Sequence, residues 1–91
     1  MRLDLLLVRL RFAKSRSVAQ RLIDPGHIRH NGQRVTEHDR RMRAGDVLVL
    51  PLGQQVRIIQ IVALPVRRGP PDEARSHYRD LDAGKSFAIA S

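Results

Sequence analysis

The sequence predicts a single α+β domain, in which two short N-terminal helices pack on a small, mostly antiparallel sheet of about four strands and a C-terminal helix covers the first helix. Three observations predict this fold. Leucines recur at helical spacing at the start of the chain, an Asn-Gly pair separates two short β-type segments, and longer apolar segments follow. The 91 residues are enough for one domain with a modest hydrophobic core.

The first predicted helix carries leucines at positions i, i+3, i+4 and i+7, which form one apolar stripe: Leu3, Leu6, Leu7 and Leu10. Leu5 and Val8 lie on the far side, where a surface helix usually presents polar residues. A helix that is apolar on both sides needs packing on both sides. We therefore expect the C-terminal helix to cover it.

The second predicted helix runs from Arg16 to Ile23. Ser15 precedes it as the N-cap residue, because its hydroxyl can accept a hydrogen bond from a first-turn amide that otherwise has no partner. The pair Pro25-Gly26 ends the helix, since proline cannot continue its hydrogen bonding and glycine tolerates the positive φ of a tight turn. Phe12 to Ser15 is then the joint between the two helices.

Short strands are predicted at Ile28 to His30 and at Gln33 to Val35. Asn31-Gly32 joins them as a hairpin turn, because both residues tolerate positive φ. Two longer strands are predicted at Val47 to Leu50 and at Val56 to Ala63, where apolar residues dominate.

The last third of the chain is predicted to hold a linker, Pro65 to Pro71, and a short helix, Asp72 to Leu81. One stripe of that helix carries Ala74, His77, Tyr78 and Leu81. We divide the chain into a domain at 1–64, a linker with the C-terminal helix at 65–82, and a flexible tail at 83–91.

The formal net charge is +8, and it is concentrated in the first half of the chain. Residues 1–43 contain eleven Lys and Arg against four Asp and Glu, whereas the other residues contain six against five. Between Arg9 and Val35, six Arg and one Lys are balanced by a single acid, Asp24. Such a basic surface predicts a polyanionic partner.

The absence of cysteine excludes disulfides and thiolate metal sites. The apolar segments are shorter than the roughly 20 residues of a membrane-spanning helix. Charged residues interrupt the apolar start of the chain, so we expect no export signal. The prediction is a cytoplasmic monomer that needs no cofactor and contacts no membrane.

The candidate binding site is the joint between the two helices. Arg11, Lys14 and Arg16 straddle it and are expected to converge on one side, and arginine can engage two phosphate oxygens at once. The start of the second helix adds unpaired amides and the positive end of its dipole. Residues of the hairpin would extend this anion site, so the predicted site comprises Arg9, Arg11, Lys14, Ser15, Arg16, Arg29, Asn31 and Arg34.

Three groups of arginines are open between a binding role and a local one. They are the helix residues Arg9 and Arg21, the loop residues Arg40, Arg41 and Arg43, and the linker residues Arg67 and Arg68, which could instead clamp acids of the C-terminal helix.

The order of these elements resembles the RNA-binding domain named for small-subunit ribosomal protein S-four, also called the alpha-L motif. The matching residues lie in the joint, the second helix, the hairpin and the following Ala-Gly-Asp turn: Ser15, Arg16, Ala19, Leu22, Ile23, Gly26, Ile28, Asn31, Gly32, Val35, Gly45 and Asp46. The resemblance spans about Arg2 to Leu50. It implies that the basic side chains face RNA.

Further residues resemble the ribosome-associated heat-shock protein fifteen family: Arg2-Leu3-Asp4, Arg11-Phe12 with Lys14 and Arg16, Asn31-Gly32-Gln33-Arg34, Arg67-Arg68, Glu73-Ala74 and Tyr78. The resemblance implies an RNA-binding protein that associates with free large ribosomal subunits still carrying a nascent chain on tRNA. It also implies a part in recycling or rescue of stalled translation under heat stress. This chain departs from the family in lacking tryptophans in the first helix and the Lys-rich tail of some members.

The small number of aromatic residues (Phe12, Tyr78 and Phe87) favours recognition of a structured RNA by its shape over reading of unstacked bases. The four histidines are scattered, which predicts no metal site, and Ser15 has no adjacent base, which predicts no enzyme. Two alternatives stay open. One is a detached RNA-targeting domain related to pseudouridine synthases or tRNA synthetases, and the other is a protein-binding adaptor.

Overall fold

The computed structural model describes residues 1–81. Its helices are α1 (Leu3–Arg9), α2 (Arg16–Ile23) and α3 (Pro71–Arg75). Its strands are β1 (Ile28–His30), β2 (Gln33–Val35), β3 (Val47–Leu52), β4 (Gln55–Ile61) and β5 (Tyr78–Asp80). The predicted flexible tail at 83–91 lies outside the described residues, and so does Asp82 at the end of the predicted C-terminal segment.

The five strands form one sheet in the order β2-β1-β3-β4-β5, and each neighbouring pair is antiparallel. The β1–β2 hairpin turns at Asn31-Gly32, both of which have positive φ. The β3–β4 hairpin is longer and closes with Leu52 opposite Gln55. The predicted α+β class with a mostly antiparallel sheet is therefore confirmed.

The predicted helix at Asp72–Leu81 is wrong in its second half, and the sheet has five strands instead of about four. Only Pro71–Arg75 is helical, whereas Tyr78–Asp80 pairs with the end of β4. The His77 carbonyl accepts the Val62 amide at 2.8 Å, and the Leu81 amide donates to the Ile58 carbonyl at 2.8 Å. Pairing with this segment satisfies backbone groups of β4 that would otherwise lie unpaired at the edge of the sheet.

One hydrophobic core joins the helices to one face of the sheet. Alternate residues of β3 and β4 point into it, as expected for strands with one covered face. The largest fully buried side chains come from α1, α2, the central strands and the loop before β3: Leu3, Leu6, Leu7, Leu10, Ile23, Ile28, Val35, Met42, Leu48, Leu50, Ile59 and Ile61. These side chains are all aliphatic or methionine.

The far side of α1 is half-buried at Leu5 and Val8. The linker reaches the C-terminal end of this helix: Arg9 Nη1 donates to the Pro65 carbonyl at 3.0 Å, and Arg68 Nε donates to the Val8 carbonyl at 3.1 Å. Cover of α1 by the C-terminal helix itself stays a prediction. Beyond the predicted domain boundary at 64, β5 completes the same sheet.

Candidate nucleic-acid interface

The joint between α1 and α2 begins with a helix ending that normally requires glycine. The Phe12 amide donates to the Leu7 carbonyl at 2.9 Å and the Arg11 amide donates to the Val8 carbonyl at 3.0 Å, which is the Schellman pattern of paired bonds. Arg11 occupies the left-handed position with φ of 68°. A side chain there costs on the order of 1 kcal/mol relative to glycine. The fold therefore holds an arginine where backbone geometry alone favours glycine.

The side chain of Arg11 crosses to the linker, where its Nε donates to the Gly69 carbonyl at 2.6 Å. A carbonyl leaves the positive charge of the guanidinium without a compensating anion. Within residues 1–81, no carboxylate lies within ion-pair distance of Arg11 or of the exposed Lys14. Both cations at the joint are thus available to an external anion.

Ser15 is the N-cap of α2, as predicted. Its Oγ accepts a hydrogen bond from the Val18 amide at 3.3 Å and lies 3.1 Å from the Ser17 hydroxyl. The side chain has a structural task at the start of the helix. Its additional role in binding stays a prediction.

Asp4, in the first turn of α1, is a fully buried carboxylate. It accepts from Arg2 Nε at 2.7 Å, from Arg2 Nη2 at 3.0 Å and from Gln20 Nε2 at 3.0 Å, and the Arg16 guanidinium lies 3.5 Å away. One acid therefore draws together two arginines, one that precedes α1 and one that begins α2. The side chain of Arg16 stays 52% exposed.

The pKa of Asp4 reflects these contacts. Burial favours the neutral acid, but the hydrogen bonds from Arg2, Gln20 and the Leu5 amide outweigh it and lower the pKa from 3.8 to about 2. The carboxylate is consequently ionised at neutral pH and carries the charge that fixes the two arginines.

The loop before β3 adds another arginine to this cluster. The Leu3 amide donates to the Arg40 carbonyl at 2.9 Å, and the Met42 amide donates to the Met1 carbonyl at 2.8 Å. Arg2 and Arg41 form a backbone bridge, so the exposed Arg41 lies beside Arg2. We call Arg2, Lys14, Arg16 and Arg41 the joint patch.

The hairpin carries two arginines directly opposite each other. Arg29 on β1 pairs with Arg34 on β2, and both side chains are exposed. Like charges at paired positions destabilise a sheet. The guanidinium of Arg34 lies over Gly26, so close that a Cβ at that residue would meet Nε at 2.7 Å. We call Arg29 and Arg34 the hairpin patch, and an anion bound there would relieve their repulsion.

Asn31 is occupied within the fold. Its Oδ1 accepts the Val47 amide at 2.8 Å and its Nδ2 donates to Asp46 Oδ1 at 3.2 Å. These bonds fasten the hairpin turn to the start of β3. The fold already uses both ends of the side-chain amide. The predicted contact of Asn31 with a ligand remains a prediction.

A buried histidine ties the loop arginine Arg40 to the sheet. Arg40 Nε can only donate, so Nδ1 of His30 accepts from it at 3.1 Å and Nε2 of His30 donates to Asp46 Oδ2 at 2.6 Å. Burial raises the pKa of Asp46, but hydrogen bonds from His30 and from the Arg43 amide outweigh it and keep that pKa below its usual value. Arg40 is therefore a structural residue of this network.

A family model described as the S4 domain matches residues 1–48, which is more than half of the chain. The chain belongs to the S4 domain family. The resemblance inferred from its joint, hairpin and Ala-Gly-Asp turn is confirmed. In this S4 domain the matched region contains α1, α2, both patches and the start of β3.

Individual proteins similar to this S4 domain include two kinds of ribosome-related protein. The heat shock protein 15 homolog of Haemophilus influenzae is 33% identical over 82 residues, which cover 90% of this chain and 62% of that protein. Small ribosomal subunit protein uS4 of Methylobacterium nodulans is 32% identical over 88 residues, which cover 96% of this chain and 40% of that protein. The chain thus spans less than two thirds of the length of either relative.

The solved structure of trimeric Vibrio cholerae heat shock protein 15 superposes with a TM-score of 0.85 at 29% sequence identity. The match covers 94% of this chain and 86% of that one. The likeness therefore extends past the S4 domain into the linker, α3 and β5.

The predicted site residues fall into two groups in the S4 domain. Lys14, Arg16, Arg29 and Arg34 are exposed cations of the two patches. Arg9, Arg11, Ser15 and Asn31 hold structural hydrogen bonds, and Arg11 still carries an uncompensated charge.

Sequence reasoning missed Arg2 as a member of the joint patch, and it left Arg41 open between a binding role and a local one. The signal that could have found Arg2 is Asp4, which falls three residues before Leu7 on the apolar stripe of α1 and needs a cationic partner when buried. No local signal identifies Arg41, because its neighbour is 39 residues away in the chain.

Two observations on the described part of the chain concern metals and membranes. Residues 1–81 contain no cluster of three or more His, Cys, Asp or Glu that could hold a metal ion. In the same residues, no helix is long and apolar enough to cross a membrane.

Proposed function

We propose that this S4 domain protein is a non-catalytic RNA-binding protein that recognises structured ribosomal RNA and associates with the large ribosomal subunit. Its role is in recycling or rescue of stalled translation under heat stress, in the cytoplasm. The observation that carries the proposal is the exposure of the two patches around α2. These patches contain more cationic side chains than carboxylates that pair with them.

The patches are close enough to act together on one polyanion. Arg16 begins α2, and the guanidinium of Arg34 lies over Gly26 just beyond its end. Eight helical residues span about 12 Å at about 1.5 Å each, which is comparable with the Debye length of about 8–10 Å at physiological salt. An RNA backbone that follows α2 would meet positive charge at both ends.

The nature of the side chains favours phosphate contacts. Guanidinium groups form forked hydrogen bonds to phosphate oxygens, and such contacts fix position without reading sequence. The hairpin amide that could read a base edge, Asn31, is engaged within the fold. Specificity for structured RNA then comes from shape, as at a helical junction or across a minor groove.

The ribosomal assignment draws on the relatives. The similarity to heat shock protein 15 extends over nine tenths of this chain and supports the assignment to heat stress. The large subunit and the tRNA on it follow from the family resemblance of the sequence and are part of the proposal. A monomer is proposed for this chain, whereas the Vibrio cholerae protein is described as trimeric. The chemistry of catalysis has little support, since the Ser15 hydroxyl caps a helix and His30 is fixed between Arg40 and Asp46.

Sedimentation with purified ribosomal subunits tests the proposal. The wild-type protein should travel with large subunits through a sucrose gradient, and the double variant Lys14→Ala/Arg16→Ala should stay at the top. The control variant Arg67→Ala/Arg79→Ala loses the same charge outside both patches and should travel like the wild type. Arg67 clamps Glu73 of α3 at 2.6 Å, which is the local role that the sequence left open for it. Travel of the wild-type protein with small subunits alone would contradict the assignment, and so would an equal loss of travel with large subunits in the two double variants.

A further inference from the structure

A pocket lies between the end of α1 and the C-terminal segment. Its volume is about 420 Å³, within the range of about 300–1,000 Å³ that holds small molecules. Arg11 and Phe12 of the joint line one side, and Arg75 of α3 and Tyr78 of β5 line the other. The sequence placed these residues about 65 positions apart, and the pairing of β5 with β4 brings them together.

The pocket has an aromatic wall made by Phe12 and Tyr78. The ring centroids are 5.1 Å apart and the planes are tilted by 47°. The Arg57 guanidinium lies 5.3 Å from the Phe12 centroid and 5.7 Å from the Tyr78 centroid. Asp80 holds this guanidinium with contacts of 2.7 and 2.9 Å, which fixes its position beside the two rings. Both rings remain partly exposed.

The charge of the pocket comes from Arg11. Asp80 neutralises Arg57, and Asp72 pairs with Arg75. Arg11 contacts only a carbonyl among the described residues and sits in the left-handed conformation, where glycine would cost less. Retention of a strained conformation is often a sign that the side chain has a function. Its position in the lining of a pocket with an aromatic wall fits a ligand with both a π face and a negative charge.

We propose that this pocket receives one unstacked nucleotide of the bound RNA, with its base against the Phe12–Tyr78 wall and its phosphate at Arg11. The inference rests on the proposed RNA-binding function and adds a site for a single base to a surface that otherwise contacts phosphates. Aromatic side chains stack on any base, so the pocket selects an extruded nucleotide rather than a particular sequence. An aromatic side chain of a protein partner would pack against the Phe12–Tyr78 wall but would give Arg11 no anion to bind.

Binding to a pair of RNA hairpins tests the pocket. One hairpin carries a single bulged adenosine in its stem, and its control has the same stem without the bulge. The wild-type protein should bind the bulged hairpin about fivefold more tightly or better, which is the lower end of the stacking effect per base. In the variants Phe12→Leu and Tyr78→Leu, which keep apolar bulk, the preference should vanish while affinity for the unbulged stem is unchanged.

The control variant for this experiment is Arg79→Ala. Arg79 adjoins Tyr78 in β5 but points to the opposite face of the strand, so the variant should keep the full preference. A wild-type protein that binds both hairpins equally overturns the pocket and leaves RNA binding intact. A protein that binds neither hairpin contradicts the proposed function, and the pocket proposal fails with it.

Nuclear magnetic resonance gives a direct readout, because Tyr78 is the only tyrosine. Adenosine 5′-monophosphate should shift the Tyr78 ring resonances of the full chain, whereas ribose 5-phosphate should leave them in place. Arg11→Gly should weaken the response to the nucleotide. A ring that responds instead to N-acetylphenylalaninamide and not to the nucleotide would identify a site for a protein side chain and overturn the proposal.

Discussion

Replacement of Asp4 by asparagine removes the one buried negative charge on which the joint patch is built. The carboxylate is fully buried, binds Arg2 through two hydrogen bonds and attracts Arg16. A fall of its pKa from 3.8 to about 2 corresponds to at most about 2.4 kcal/mol of folding free energy, at about 1.36 kcal/mol per pH unit. Because Arg2 is 38% exposed and Arg16 is 52% exposed, solvent screening reduces the expected loss to about 1–2 kcal/mol.

The pH dependence of this loss has a definite sign. The pKa of Asp4 is lower in the folded chain than in the unfolded chain, so its contribution is fully present above about pH 4 and disappears as the pH falls through about 2. Urea unfolding of Asp4→Asn at pH 7 should show the full loss relative to wild type. The difference between the two proteins should shrink at pH 3.

A matched control for this experiment is Asp72→Asn. Asp72 pairs with Arg75 on the surface of α3, where an ion pair contributes within about 0.5 kcal/mol. Its unfolding free energy should therefore match that of the wild type. Equal stability of Asp4→Asn and wild type at pH 7, or a difference that stays constant down to pH 3, would refute the role assigned to Asp4.

Three further predictions follow from the joint, the hairpin and the oligomeric state. Arg11→Ala and Arg11→Gly both lose the hydrogen bond to Gly69, but only the alanine variant keeps the energetic cost of a side chain in the left-handed conformation. Urea unfolding should therefore find the glycine variant about 1 kcal/mol more stable than the alanine variant. Equal stability of the two variants would contradict the left-handed conformation of Arg11. Gly26→Ala and Gly32→Ala both place a side chain at positive φ, but only the first displaces Arg34, so filter binding should find RNA affinity lowered for Gly26→Ala alone. Sedimentation velocity should give the mass of a monomer, and a species of about three times that mass would show assembly like that of the Vibrio cholerae protein.

The N-terminal elements could be predicted from the sequence because local signals specify them. The Ser15 cap and Pro25-Gly26 bound α2, and Asn31-Gly32 alone accounts for the β1–β2 turn. These signals act over a few residues, so the predicted bounds of α2, β1 and β2 agree with the structure. The predicted cations at Lys14, Arg29 and Arg34 are exposed for the same reason, since the local elements dictate their direction.

The C-terminal segment could not be predicted in the same way. Ala74 and Tyr78 fall at helical spacing, but pairing with the edge of β4 decides the conformation of Tyr78, whose partner Ile61 is 17 residues away in the chain. The bridge between Arg2 and Arg41 is equally non-local. Both the joint patch and the aromatic pocket therefore required the fold, because each combines residues whose contact depends on strand or loop pairing.

The salt dependence of RNA binding tests the central claim most directly. For a structured RNA in a filter-binding titration, the logarithm of the affinity should fall linearly with the logarithm of salt concentration, with a slope of about 0.9 per phosphate contacted on a duplex. Lys14→Ala/Arg16→Ala should reduce that slope by about 1.8 if each residue contacts one phosphate. The charge-matched variant Arg67→Ala/Arg79→Ala should retain the wild-type slope. Identical slopes for all three proteins would contradict an RNA interface at the joint between α1 and α2.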